Sequence, residues 1–78
     1  MTMKNTQVMA YVREAVGHYY DIIIEEYLGD TRVRMGKDRH AWSRVLLESL
    51  SGVCNLHNLD YYVDESGIVI YPQSKAVK

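Results

Sequence analysis

The chain has 78 residues, enough for one small domain with a thin core, since folding at this size removes only about 60% of the unfolded surface from water. With 47% hydrophobic and 24% charged residues, the composition is that of a globular protein and excludes general disorder. The net charge of −1 excludes a general affinity for polyanions, yet the charge is segregated: residues 31–44 carry five bases and one acid, and residues 45–74 carry four acids and no base.

The first predicted element is an amphipathic helix from Asn5 to Leu28. Apolar side chains recur there at steps of three and four, as on one face of a helix, namely Val8, Val12, Val16, Tyr19, Ile23 and Tyr27. Gly29 can end this helix in the left-handed conformation. Three acidic residues interrupt the most apolar run, residues 19–28, and residues 1–12 lack the apolar centre of a signal peptide. We therefore expect neither a membrane span nor a leader.

A second helix is predicted from about Asp38 to Asn58. Its apolar side carries Trp42, Val45, Leu46, Leu50, Val53 and Cys54. Ser51-Gly52 is the point at which it can bend or break, because an interior glycine costs about 1 kcal/mol relative to alanine.

The last predicted element is a hairpin, with strands at 61–63 and 68–71 and a turn at 64–67 in which Gly67 tolerates positive φ. Residues 31–35, TRVRM, alternate like a short strand that can pair with the hairpin edge, and the pattern does not decide whether they do. The predicted fold class is α+β, with two amphipathic helices packed on a small antiparallel sheet. We expect one domain over residues 1–72 and a flexible polar tail over 73–78.

No motif for catalysis, a cofactor or a metal is present, so we expect a protein that is not an enzyme and uses no cofactor. One stripe of the first predicted helix carries Glu14, His18, Asp21 and Glu25, but it lies opposite the apolar face and is interpreted as solvated rather than as a metal site. His40 and His57 are interpreted as ordinary surface or core imidazoles. The single cysteine, Cys54, excludes an internal disulfide and favours a reducing, cytoplasmic location.

The basic segment provides the candidate partner-binding residues, Arg32, Arg34, Lys37, Arg39 and Arg44. Three interpretations are kept. The preferred one is a small regulatory or inhibitory protein–protein interaction module whose arginines steer an acidic partner. The alternative is a nucleic-acid-binding protein that uses residues 32–44, although five bases are fewer than the roughly six to ten phosphate contacts of a strong binder. A solvated connection between helices is the third possibility.

We also predict a homodimer. Apolar side chains cover an arc of roughly 200° on each predicted helix, whereas a helix packed on one side buries a stripe nearer 100°. A two-fold contact would cover the second flank. The predicted interface lies on the first helix and comprises Tyr19, Tyr20, Ile23, Ile24 and Tyr27. Whether the seven tyrosines line an interface or the rim of a small core is left open.

Overall fold

Two helices and a four-stranded antiparallel sheet make up the part of the chain that the computed structural model describes, which is residues 3–19, 22–35, 44–65 and 67–75. In chain order the elements are α1 (Asn5–Val16), β1 (Ile22–Tyr27), β2 (Asp30–Met35), α2 (Arg44–Leu56), β3 (Leu59–Asp64), β4 (Gly67–Pro72) and a 3₁₀ turn at Gln73–Lys75. The sheet order is β1-β2-β4-β3. The predicted α+β class is confirmed.

The predicted first helix is wrong in its second half, because α1 ends at Val16 and residues 22–27 form a strand. The Gly17 N–H caps α1 by donating to the Arg13 carbonyl at 2.8 Å. The spacing misled us because a step of four residues keeps a side chain on one face of a helix and also on one face of a strand. Three consecutive isoleucines then favour the strand, since β-branched side chains are stiff and pack well on a pleated surface.

Strands β1 and β2 form a hairpin with a two-residue turn at Leu28-Gly29, where both residues have positive φ, 53° and 88°. Such a turn matches the twist of the flanking strands. Six residue pairs follow, from Tyr27 with Asp30 to Ile22 with Met35. Strand β2 also pairs with β4, so TRVRM joins the edge of the C-terminal hairpin, a question that the sequence left open. Strand β1 is a fourth strand that the sequence did not predict.

Helix α2 runs unbroken through Ser51-Gly52. One side of it is buried, through Leu46, Leu50, Val53 and Cys54, and this packing outweighs the cost of the interior glycine. The predicted start at Asp38 lies outside the described residues.

The predicted C-terminal hairpin is confirmed, and its strands are longer than expected. In its turn, the Gly67 N–H donates to Asp64 Oδ1 at 3.1 Å. Gly67 has φ of 137°, and a Cβ there would lie 2.5 Å from the Val33 carbonyl oxygen, so the position requires glycine. The Gln73 N–H donates to the Asn58 carbonyl at 3.0 Å, so the first residue of the predicted tail is hydrogen-bonded to the domain.

Both helices pack on the same face of the sheet and share one core, formed by Val8, Val12, Val16, Val33, Leu46, Leu50, Val53, Cys54, Leu59, Ile68 and Ile70. Thr31 is a fully buried polar residue whose hydroxyl donates to Asn5 Oδ1 at 2.7 Å, which ties the start of α1 to β2. None of the described helices has the length and apolar character that crossing a membrane requires.

Candidate functional site on the outer face of the sheet

The face of the sheet turned away from the helices, called the outer face below, collects most of the charged and aromatic side chains of the strands. Successive residues of a strand point to opposite faces, and the register aligns the outward residues of all four strands. They are Ile23, Glu25, Tyr27, Asp30, Arg32, Arg34, Asp60, Tyr62, Asp64, Val69 and Tyr71. Val69 is fully buried, although it lies outside the core that the helices cover.

Two arginines of β2 share one carboxylate of β1 on this face. Glu25 lies directly opposite Arg32, and Arg34 is its diagonal neighbour. The Nε atoms of Arg32 and Arg34 donate to the same oxygen, Glu25 Oε2, at 2.8 and 2.7 Å. Hydrogen bonds first from Arg34 and then from Arg32 lower the pKa of Glu25, so this carboxylate stays ionised at neutral pH.

Arg34 makes a second hydrogen bond to Glu25, from an Nη to Oε1 at 3.5 Å, whereas Arg32 has an aromatic neighbour. The guanidinium carbon of Arg32 lies 4.2 Å from the ring centroid of Tyr27, which adds a cation–π contact to the bonds with Glu25. The side chain of Arg32 is 19% exposed, and that of Arg34 is 38% exposed. Arg34 therefore presents the more accessible guanidinium. We call Arg32 and Arg34 together the arginine pair.

The other half of the outer face is aromatic and acidic. The Tyr62 and Tyr71 rings lie 6.1 Å apart at 49°, and Asp60 and Asp64 stand on the edge strand β3. Burial, and then the charge of Asp60, raises the pKa of Tyr71, so its hydroxyl keeps its proton and can donate a hydrogen bond. The outer face thus has a cationic cluster beside β1 and an acidic edge along β3.

The structure brings together only part of the predicted basic surface. Arg32 and Arg34 lie side by side on β2, whereas Arg44 begins α2 on the helix side of the sheet. Lys37 and Arg39 lie outside the described residues. We therefore restrict the candidate site to the arginine pair and its neighbours.

The predicted dimer residues do not share a surface, because their segment is not helical. Ile23 and Tyr27 are on the outer face, whereas Ile24 packs against the core. Tyr19 follows α1, with its hydroxyl oxygen 3.5 Å from that of Ser49, and Tyr20 lies outside the described residues. The helical arc on which the homodimer prediction relied is therefore wrong for this segment.

The tyrosines divide between both interpretations that the sequence left open. Tyr11, Tyr19 and Tyr61 are partly buried against the core, whereas Tyr27, Tyr62 and Tyr71 lie on the outer face. Only the second group is available to a partner on that face.

A shallow groove lies between α1 and α2 on the helix side. Its volume is about 450 Å³, and its lining includes Tyr11, Gly52, Leu56 and His57. The His57 ring stacks on Tyr11 with centroids 3.6 Å apart, so this predicted ordinary imidazole is packed on an aromatic ring. His40 lies outside the described residues.

The stripe of Glu14, His18, Asp21 and Glu25 does not exist as predicted. Glu14 is in α1, His18 follows it and Glu25 is on β1, while Asp21 lies outside the described residues. In the described parts of the chain, no group of three or more His, Cys, Asp or Glu side chains could hold a metal ion. Cys54 is buried, and burial, with a smaller contribution from the charge of Asp60, raises the pKa of its thiol to about 11.

Sequence reasoning missed Glu25 as the partner of the arginine pair. The available signal was the complementary charge of the two segments IIIEEY and DTRVRM, which a hairpin interpretation would have placed opposite each other.

No protein family, curated protein or solved structure matches the chain.

Proposed function

We propose that the chain is a small non-enzymatic protein–protein interaction module, which regulates or inhibits another protein by binding it through the outer face. The observation that carries this proposal is the arginine pair beside Tyr27, with Tyr62 and Tyr71 on the same face. Arginine and tyrosine are enriched at the centres of protein interfaces, because each combines a large contact area with directional hydrogen bonds.

The charges of the face favour a protein over a nucleic acid. Four carboxylates, those of Glu25, Asp30, Asp60 and Asp64, share the face with the two arginines, and Glu25 already accepts hydrogen bonds from both. A polyanion would meet this acidic surface along its whole length, whereas a folded partner can match cationic and acidic patches separately.

Nucleic acid remains the second candidate, and one observation favours it. Tyrosine rings beside arginines on a sheet form the kind of platform on which single-stranded bases stack. Titration into single-stranded and duplex oligonucleotides at two salt concentrations separates the candidates. Sub-micromolar binding that weakens steeply with salt would contradict our proposal.

Site-specific photo-crosslinking in the native cells tests the surface. A benzophenone amino acid replaces Tyr62, which is 46% exposed on the outer face, or Val45, which is 59% exposed on α2 as a matched control. We expect a discrete protein adduct from position 62 and none from position 45. An adduct from position 45 alone would place the contact on the helix side and refute the proposal.

We also propose that the free chain is a homodimer, now through the edge of β1. This edge strand carries three consecutive isoleucines in a regular ladder and has neither proline nor lysine, although Glu25 and Glu26 are charges of the kind that oppose edge pairing. Two such edges can pair antiparallel about a two-fold axis. Light scattering should give a mass near twice the 9.0 kDa chain.

Ile23→Lys places a lysine on the β1 edge strand, and Tyr62→Lys does so on the opposite edge strand. We expect only Ile23→Lys to give a folded monomer, because lysine on an edge opposes strand pairing. A monomeric wild-type chain, or a dimer that survives Ile23→Lys, would show that β1 is not the contact.

A further inference from the structure

The contact between β1 and β2 joins the arginine pair to the carboxylate of Glu25. Two guanidinium groups face one carboxylate, and both Nε atoms bond to the same oxygen of it. Each guanidinium has five N–H donors in a planar fork. Within the described part of the chain, Glu25 is the carboxylate in salt-bridge contact with the pair. Unshared donors therefore remain at a partly exposed position.

The surroundings leave Arg34 accessible from the solvent side. Its neighbour on β4 is Gly67, whose missing side chain leaves that flank uncovered, and a Cβ built there would lie 3.0 Å from the Cβ of Arg34. Its neighbour on β1 is Ile23, which is apolar and does not compete for its donors. Arg32, by contrast, is packed on Tyr27.

We propose that the arginine pair is a binding site for a carboxylate side chain of the protein partner, and that Glu25 occupies part of this site in the free chain. The inference rests on the proposed function and names the chemistry of its contact. Arg34 makes the direct contact, since its fork matches a carboxylate with two parallel hydrogen bonds. Arg32 and Tyr27 act as positioning residues. An incoming carboxylate takes the unshared donors and competes with Glu25 for the others.

Glu25→Gln is the decisive variant, because glutamine has nearly the same shape but no charge and so frees both guanidinium groups. Glu26→Gln is the matched control: it makes the same change in net charge at the next residue, which points to the opposite face. The probe is a hexaglutamate peptide, titrated at low and high salt. We expect Glu25→Gln to bind it roughly fivefold more tightly than the wild type, the scale of one partly exposed ion pair, and Glu26→Gln to remain close to the wild type.

The complementary variant is Arg34→Lys, which keeps the charge and removes the planar fork. We expect it to weaken hexaglutamate binding several-fold, whereas Arg44→Lys on α2 leaves it unchanged. Circular dichroism shows whether Glu25→Gln folds. If it does not, the comparison of Arg34→Lys with Arg44→Lys provides the test. Equal effects of Glu25→Gln and Glu26→Gln, or of Arg34→Lys and Arg44→Lys, would reduce the site to general electrostatics and overturn the proposal.

Two further probes identify the source of the anion. Inorganic phosphate and a hexathymidylate oligonucleotide are titrated under the same conditions, and tighter binding of either than of hexaglutamate would overturn the assignment to a carboxylate. If hexaglutamate binds no variant while position 62 still crosslinks to a protein, the carboxylate site is wrong and the proposed function stands. If hexaglutamate binds as expected and position 62 gives no protein adduct, the proposed function fails and the anion site remains.

Discussion

Replacing Gly52 by alanine should stabilise the protein. Gly52 lies in the interior of α2, is exposed, and has no atom within 4 Å of the position that a Cβ would take. Alanine therefore adds no clash, and it removes the extra backbone freedom that glycine loses on folding. Glycine costs about 0.5–1 kcal/mol relative to alanine in such a position. For a chain of this size, that gain corresponds to an increase in Tm of about 2–8 °C.

Thermal and urea unfolding followed by circular dichroism measure the effect, at two protein concentrations to detect self-association. Gly67→Ala is the control, because there the Cβ would lie 2.5 Å from the Val33 carbonyl oxygen at a φ of 137°, and we expect clear destabilisation. If Gly52→Ala lowers Tm or leaves it unchanged, α2 is not a straight, solvated helix at this point, and the groove beside Gly52 is filled in solution.

Three further predictions concern the turn between β1 and β2, the buried thiol and the carboxylate shared by the arginine pair. Leu28→Asn should raise Tm by several degrees, because Leu28 is 84% exposed at φ 53° and asparagine tolerates that region better; an unchanged Tm would argue against this turn. The pKa of the Cys54 thiol is raised to about 11, so this thiol should react with a disulfide reagent at pH 8 far more slowly in the native than in the unfolded chain. Its contribution to the free energy of unfolding should decline as pH rises from about 8.5 towards 11, because the thiol of the unfolded chain loses its proton first. In a carboxyl NMR titration, the pKa of Glu25 should lie below its usual value of about 4.3, and it should rise in Arg34→Gln. The stability that the ionised Glu25 contributes is therefore present above about pH 4.3 and is lost as pH falls through the lower native pKa. A normal pKa for Glu25 would contradict the contact with the two arginines.

The C-terminal half of the fold was predictable because its local signals agree with one another. Residues 44–56 have a buried stripe at helical spacing, and Gly67 marks a turn between two apolar runs. The β1–β2 hairpin lacked such a signal, since its turn is Leu-Gly, whereas asparagine or aspartate before glycine is the usual mark. Gly17 was not interpreted as the helix end, because the apolar spacing continued past it into β1.

The candidate site was predictable only as a list of bases. Arg32 and Arg34 were identified by charge, but Glu25 was placed on a helical stripe with Glu14, far from either arginine. The contact depends on the register of β1 against β2, which pairs Glu25 with Arg32. Register is fixed by the turn and by burial of one face, so it could not be inferred once the segment had been interpreted as a helix.

Because residues 22–27 form strand β1 rather than a helix, the surface that a partner could contact differs from the predicted one. Ile24 packs against the core and Ile23 lies on the outer face, so the apolar excess that demanded a helical interface is divided between two faces. What remains for a partner is a sheet face of four six-residue strands, which measures roughly 19 by 20 Å from the spacings of a regular sheet. That footprint, roughly 400 Å², is about half of what one side of a standard stable interface buries. We therefore expect a transient complex, in which a few strong contacts such as that of Arg34 supply most of the affinity and the rate of association depends on salt.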